Sequence, residues 1–376
     1  MLSIYLIFGL IYVFFLIFLA SFWQGSTPAK HQRAFLPSVS ILIPFRNEIE
    51  NLPVIFAQLS SFNYPRLEII FIDDQSEDTS VEWLEFKSVN FDHISIVKSE
   101  GLGKKRAIQK GVQCAVGEVI LCTDSDCSLS ATWLEEMIFP FSNPSIQLVA
   151  GPVMAAGEAG FCCRFQQIDW ASILLLTNFC FIRKKPLMCS AANLAYRKAA
   201  FLTVKGYQGN LEYSSGDDEF LLKKIVNEFG AESCTYIHHA TALVYTKAEE
   251  SWKSLYGQRV RWSSKWRAHG SGVHLLTALL SLGVQVIFLS SYGLLFVGIK
   301  GVLLFLFFWG LKISAEYHVL GKVLISFNKR LPLRDFILTS FIHPLYVIKV
   351  GLGGFSGKFT WKGRVNQRSV NLEPEK

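Results

Sequence analysis

The sequence predicts an α/β fold: a mostly parallel sheet with helices on both faces, flanked by transmembrane helices. Three observations predict it. Between residues 37 and 270, short β-branched runs alternate with helically spaced segments, the signature of strand–helix–strand units. Long uncharged apolar runs are segregated to either side of that region. Acidic residues recur directly after the strand-like runs, at the edge where such sheets bind ligands.

Leu2 to Trp23 contains no Asp, Glu, Lys or Arg. At about 1.5 Å per residue, a helix of this length crosses a bilayer. A cleaved signal peptide is the competing reading. No basic residue precedes the run and no small-x-small site follows it cleanly, so residues 1–23 read as an anchor.

In the middle, Ser38–Ile43, Leu67–Ile72, Ile94–Val97 and Val119–Thr123 suit buried strands, and Glu48–Leu59, Glu77–Phe86 and Leu102–Val116 carry helical spacing. Beyond residue 270, Val273 to Leu311 has Lys300 as its only charged residue. It is too long for one span, and a turn near Gly298–Gly301 divides it. The second of these helices continues past Lys312 and Glu316, one helical turn apart and able to neutralise each other. Phe336 to Phe355, with His343, Pro344 and Lys349, spans or lies at the interface. The expected organisation is thus an anchor (1–23), a central domain (37–270), a membrane region (273–357) and a basic polar tail (358–376).

The net charge of +7 is scattered rather than gathered into a stripe, which argues against nucleic acid. Basic residues crowd the membrane flanks instead: Lys30 and Arg33, Arg259 to Arg267, and Lys329 to Arg334. That distribution places the central domain in the cytoplasm and points to anionic lipid. The eight cysteines show neither C-x-x-C nor zinc spacing and read as reduced thiols, with Cys162-Cys163 as core filler.

Six short motifs carry chemistry. Pro44-Phe45-Arg46-Asn47-Glu48 and Asp73-Asp74-Gln75-Ser76 follow strands; their carboxylates can accept hydrogen bonds from a base or ribose, and Asn47, Asp74 or Ser76 can equally cap helices. In Asp124-Ser125-Asp126, carboxylates two apart can face a hard divalent cation, or simply form a polar turn. Gly101-Leu102-Gly103-Lys104-Lys105 opens a helix and suits phosphate, though it lacks the full Walker pattern; a solvated charge run is the alternative. Gly216-Asp217-Asp218-Glu219 places acids at a helix start, which suits the macrodipole, while mutual repulsion suits a general base. In Gln258-Arg259-Val260-Arg261-Trp262, the i, i+3, i+4 positions share a helix face, matching either a diphosphate and sugar or a headgroup boundary that Trp252, Tyr256 and Trp266 would share. His238-His239 reads as structural rather than metal-binding.

The ordered set, with Q-x-x-R-W as its most specific member, resembles the membrane-bound, inverting family 2 glycosyltransferases of GT-A fold. The resemblance spans residues 38 to about 270. It implies nucleotide-sugar binding by Pro44, Glu48, Asp73, Asp74, Lys104, Lys105 and Asp124. It also implies a Mg²⁺ or Mn²⁺ ion on Asp126 with Asp124, and diphosphate or acceptor contacts from Asn193, Gln258, Arg261 and Trp262. Asp218 becomes the catalytic base with Asp217 beside it, although the family usually has Glu-Asp where this chain has Asp-Asp. The partners implied are a nucleotide-sugar donor of UDP-sugar type, a membrane-associated lipid or glycan acceptor, and the bilayer of a bacterial-type inner membrane. Trp361-Lys362-Gly363-Arg364 resembles a tail of bacterial members. The few polar residues in the spans lead to an expectation of single transfer; a processive polysaccharide synthase, and a non-catalytic nucleotide- or lipid-binding protein, are the alternatives.

Overall fold

The computed structural model describes residues 2–24, 35–158, 160–213, 215–264, 272–356, 359–361 and 364–366. Lys30, Arg33, Lys265, Trp266, Arg267, Lys362 and Gly363 lie outside the described residues. The chain divides into two compact units, one of residues 17–248 with 319–331, the other of residues 1–16, 249–318 and 332–376.

The first unit is an α/β structure. Its opening half alternates β1 (Val39–Phe45), α2 (Leu52–Ser60), β2 (Leu67–Asp73), α3 (Ser80–Ser88), β3 (Ile94–Lys98), α4 (Lys104–Cys114) and β4 (Val119–Cys122), after the long apolar helix α1 (Leu2–Ser21). These strands are near-continuous apolar runs because both faces of the sheet are covered: Ile41, Leu42, Ile43, Phe71 and Leu121 are completely buried. The helices begin later than their hydrophobic spacing suggests. Residues 46–51 and 74–79 are instead held by side-chain hydrogen bonds, such as those from the Ile49 amide to Asp78 and from the Glu77 amide to Asn47.

The later half is built of short pieces: β5 (Cys127–Ser128), α5 (Trp133–Ile138), β6 (Leu148–Ala150), β7 (Val153–Ala155), α6 (Gly160–Ile182), β8 (Leu194–Arg197), α7 (Lys198–Thr203), α8 (Asp217–Phe229), β9 (Cys234–Tyr236) and β10 (Val244–Thr246). The main sheet has seven strands in the order β3-β2-β1-β4-β8-β6-β9. β8 is antiparallel to both β4 and β6, and the other pairings are parallel. A smaller sheet runs β5-β10-β7.

Register decides what meets at the carboxyl edge. Phe45 pairs with Asp73, and Cys122 with Leu194, so the segments after β1, β2 and β4 and the one before β8 share that edge.

The second unit contains α9 (Trp252–Ser263), α10 (Gly272–Ser290), α11 (Gly298–Ser326, up to His318), α12 (Leu333–Ser356) and the start of α1. Residues 258–262 therefore group with the membrane helices, whereas the hydrophobic pattern placed them in the central domain. The break between α10 and α11 falls at a 3₁₀ turn (Ser291–Phe296) and Gly298, whose φ of 76° is one that glycine adopts without strain. Among the described residues, four helical stretches are long and apolar enough to cross a membrane: Ser3–Ser21, Leu279–Phe296, Gly298–Ser326 and Leu333–Gly354. Their core in this unit is aromatic, with Phe288, Phe305, Phe308 and Trp309 buried and Tyr5, Phe8 and Tyr12 packed against them. Lys312 and Glu316 form the anticipated ion pair, and Glu316 also accepts from Tyr12 Oη (2.7 Å) and Ser340 Oγ. In the tail, β11 (Phe359–Trp361) and β12 (Arg364–Asn366) pair as a short antiparallel hairpin.

Candidate active site

Two glycine-launched helices aim their first turns into the α/β unit's acidic edge. Gly103 (φ 100°) precedes α4 and Gly216 (φ 88°) precedes α8, both in conformations that a Cβ would strain. α4 begins with Lys104 and α8 with Asp217.

Lys104 is the electrostatic centre of the edge. Its ammonium pairs with Asp124, just beyond β4, and stands 3.6 Å from Asp217 Oδ2. Burial pushes its pKa down, but the charges of Asp124, Asp217 and Asp218 outweigh this and hold it well above the ordinary lysine value. Asp217 is 7 % exposed, and its Oδ2 has that ammonium beside it without a hydrogen bond. Burial and the nearby carboxylates also raise the pKa of Tyr207, keeping its phenol neutral.

Asp218 is half-buried beside Asp217. Its Oδ1 accepts from the Glu219 amide (2.8 Å) and its Oδ2 from the Ala191 amide (3.3 Å), which brings the segment before β8 against α8. Asp126 Oδ2 faces the Thr246 hydroxyl of β10 at 3.4 Å, and the Cys127 thiol lies 3.8 Å from its Oδ1. Thr246 was not foreseen; a three-residue strand gives no signal of where its side chains end up.

The residues after β1 and β2 form a compact buried knot. Asp73 Oδ1 accepts from the Ser76 amide (2.8 Å), and Asp74 Oδ1 accepts from the Gly103 amide (2.7 Å), tying β2 to the start of α4. Arg46 donates to the Asp74 carbonyl and pairs with Glu77 at 2.9 Å. The Glu48 carboxylate accepts from Asn51, and Pro44 lies within β1, opposite Ile72. Asn47 and Gln75 adopt positive φ (51° and 61°), a conformation that asparagine tolerates better than most residues.

Two of the residues expected to contact ligand make internal hydrogen bonds. Lys105 is 4 % exposed and donates to the carbonyls of Asn210 (2.8 Å), Tyr213 (2.8 Å) and Ser215 (3.0 Å), with the Phe220 ring 4.6 Å away. An ammonium has three protons, so these carbonyls use its donor capacity, and it holds the segment that leads into Gly216-Asp217-Asp218. Asn193 is completely buried, donates to the carbonyls of Pro152 and Ala242 (2.8 Å each) and accepts from Trp133 Nε1 (2.9 Å). It braces the edge from within. His238 Nε2 meets the Gln24 carbonyl at 2.8 Å, and His239 contacts Thr241 and Glu136.

In the second unit, α9 starts with a Ser251–Ser254 capping box. Gln258 donates to Glu249 (2.8 Å), and Arg259 lies 4.2 Å over the Trp262 ring and donates to Tyr346 on α12. Arg261 and Trp262 are half-buried.

Among the described residues no cluster of three or more His, Cys, Asp or Glu could cage a metal ion. The acidic edge still fits one, because Mg²⁺ characteristically binds through one or two carboxylates together with substrate phosphates. Asp124 and Asp126 are such a pair, both half-buried.

Residues 40–204 match the family described as glycosyl transferase family 2. A poly-beta-1,6-N-acetyl-D-glucosamine synthase from Staphylococcus epidermidis is 26% identical over 269 residues, covering 69% of this chain and 62% of that protein. Glycosyltransferase AglE of Haloferax volcanii is 31% identical over 121 residues, 31% of this chain and 40% of that protein. The chain thus spans less than two thirds of the length of these relatives. Among solved structures, the mannosyltransferase PcManGT from Pyrobaculum calidifontis, in complex with GDP-Man and Mn²⁺, superposes with a TM-score of 0.55 at 14% identity, covering 94% of this chain and 96% of that one. The fold is accordingly of GT-A type, with four helices among the described residues apolar enough to span a membrane. The match to glycosyl transferase family 2 thus covers residues 40–204, somewhat less than half of the chain.

Proposed function

We propose that the chain transfers one sugar from a nucleotide-diphosphate donor, of UDP-sugar type, to a hydroxyl of a membrane-associated lipid or glycan, with inversion at the anomeric carbon. The observation that carries this reading is Lys104, whose single ammonium gathers Asp124 from the β4 exit and Asp217 from the start of α8. Acids with donor-side and acceptor-side roles thus share one electrostatic centre.

In this reading Asp73, Asp74 and Glu48 shape the nucleoside side. Asp218 accepts the proton of the acceptor hydroxyl as its oxygen bonds to the anomeric carbon. The bond from that carbon to the diphosphate breaks, and its electron pair leaves on the phosphate oxygen. Asp126, with Asp124, would hold Mg²⁺ or Mn²⁺, which neutralises charge developing on a diphosphate leaving group. Lys104 is placed to exchange carboxylate partners for phosphate when donor arrives. Gln258, Arg261 and Trp262 are proposed as diphosphate and acceptor residues on the strength of their motif. The central domain is proposed to face the cytoplasm, on the charge distribution of the sequence.

A second reading is polymerisation of N-acetylglucosamine, favoured by the synthase relative that matches 69% of the chain. Membranes carrying the protein, offered a panel of labelled nucleotide sugars, separate the two: a product soluble in organic solvent supports single transfer, and a high-molecular-weight product from the purified protein alone supports a synthase. Incorporation from none of the donors, with a well-folded protein, would sink both. The Asp218→Asn variant should bind UDP like the parent while turnover falls by about 10²–10⁴-fold, the range for a lost general base. Equal loss of UDP binding and turnover would make Asp218 a donor-binding residue.

A further inference from the structure

We propose that the C-terminal turn of α6, with Arg183-Lys184-Lys185, is a seat for anionic phospholipid headgroups that fixes the α/β unit against the bilayer. α6 is tied to the last turn of the α1 span. Phe179 packs edge-to-face on both Phe18 (5.7 Å) and Phe22 (5.2 Å), and Asn178 Nδ2 donates to the Phe22 carbonyl (3.1 Å). Phe18 is 42 % exposed, on a span that ends at Ser21. Phe179 therefore sits at the depth where acyl chains give way to headgroups. One helical turn later come Ile182, an exposed apolar residue, and three consecutive exposed cations. Lys322, from the 319–331 segment of the same unit, donates to the Ala20 carbonyl (3.2 Å) and adds a further ammonium at that level.

The way α6 ends strengthens the assignment. The Lys185 amide donates to the Cys180 carbonyl and the Lys184 amide to the Phe181 carbonyl, a Schellman-type cap with Lys184 at its left-handed position (φ 55°). Glycine is the usual residue there, because a side chain in that conformation is disfavoured. A lysine at this position carries a conformational cost that its surroundings inside the protein offset little: its partner is Glu232 at 2.7 Å, and both side chains are exposed. A phosphate-rich headgroup layer offers all three cations, and an apolar Ile182 beneath them, a matching surface. A cation near an anionic membrane surface gains about 1 kcal/mol. That corresponds to about fivefold in occupancy of the seated state for each charge.

The test uses the full chain in nanodiscs of phosphatidylcholine alone or of an equimolar mixture with phosphatidylglycerol, read by hydrogen exchange at the amides of Arg183, Lys184, Lys185 and Leu187. Protection should be higher in the anionic discs and should collapse toward the neutral value at high salt. Arg183→Gln with Lys185→Gln should lower it by roughly fivefold per charge. Lys184→Gly separates this role from a structural one. Glycine relieves the left-handed position, so thermal stability should hold or rise while the lipid-dependent protection falls. Equal protection in both lipids, or a lipid dependence unchanged in these variants, would overturn the proposal.

Discussion

Both units of the molecule bury a lysine among acids, and they do so to opposite ends. In the membrane unit, Lys312 and Glu316 are matched one to one. Tyr12 and Ser340 complete the carboxylate, and the Phe288 ring lies 5.0 Å from the ammonium. α1, α11 and α12 are stitched at one point. At the sheet edge, one Lys104 faces Asp124, Asp217 and Asp218, so negative charge remains in excess. A saturated cluster fixes structure; an edge with negative charge in excess suits the divalent cation of the proposed function.

The largest effect should come from removing the anchor for that cation. Asp126→Ala, or chelation of the wild type, should cost several kcal/mol of transition-state stabilisation, the usual scale for Lewis-acid assistance. Mg²⁺ or Mn²⁺ should restore the chelated wild type but not the variant. Full transfer in excess chelator would remove the metal from the proposal and leave Lys104 to balance the edge alone.

Glu316→Ala tests the saturated side. It leaves Lys312 buried without its counter-ion, a change that typically costs about 3–5 kcal/mol. Thermal unfolding in detergent should show the loss, while UDP binding by the surviving folded fraction stays at the parental value. A variant as stable as wild type would mean that the cluster is not a stitch.

Lys105→Met probes how the edge is held in shape. Without its three carbonyl bonds the segment entering α8 should shift, and misplacement on the 1 Å scale can cost up to about 10²-fold in turnover. Turnover should fall with little change in the donor KM, and Lys105→Arg should recover part of it. A rise in donor KM alone would return Lys105 to the phosphate contact that its position after a glycine turn first implied.

The contrast also marks what was legible in the sequence. β1 to β4 could be read because strands buried on both faces are apolar runs, and the acids that follow them are visible one by one. The Lys312–Glu316 pair was legible from helical spacing alone. β6, β7, β9 and β10 were not, since three residues carry no period. α6 escaped for a different reason: Gln166, Gln167, Asp169, Thr177 and Asn178 are buried within it, which erases the apolar stripe. Gln167, for example, donates to the carbonyls of Ala155 and Gly157, a purely tertiary contact. Lys104 and Lys105, adjacent and chemically identical, have different partners that only the turn of α4 separates.

The smallest effect concerns pH and follows from the sign of one shift. The folded pKa of Lys104 is raised above its unfolded value by Asp124, Asp217 and Asp218 acting against burial. A group raised on folding contributes stability that is complete below its unfolded pKa, about 10.4 for lysine, and is lost only as pH climbs through the higher folded value. Lys104→Met should therefore lower the stability of the α/β unit by about 1.5–3 kcal/mol, the scale of hydrogen bonds to charged groups. The difference from wild type should be the same at pH 7 and pH 9 and shrink only in strong alkali. Denaturant unfolding of the two proteins across that range provides the measurement. A difference that shrank between pH 7 and 9 would show that Lys104 loses its proton there, and that the acidic edge holds it far less firmly than three carboxylates should.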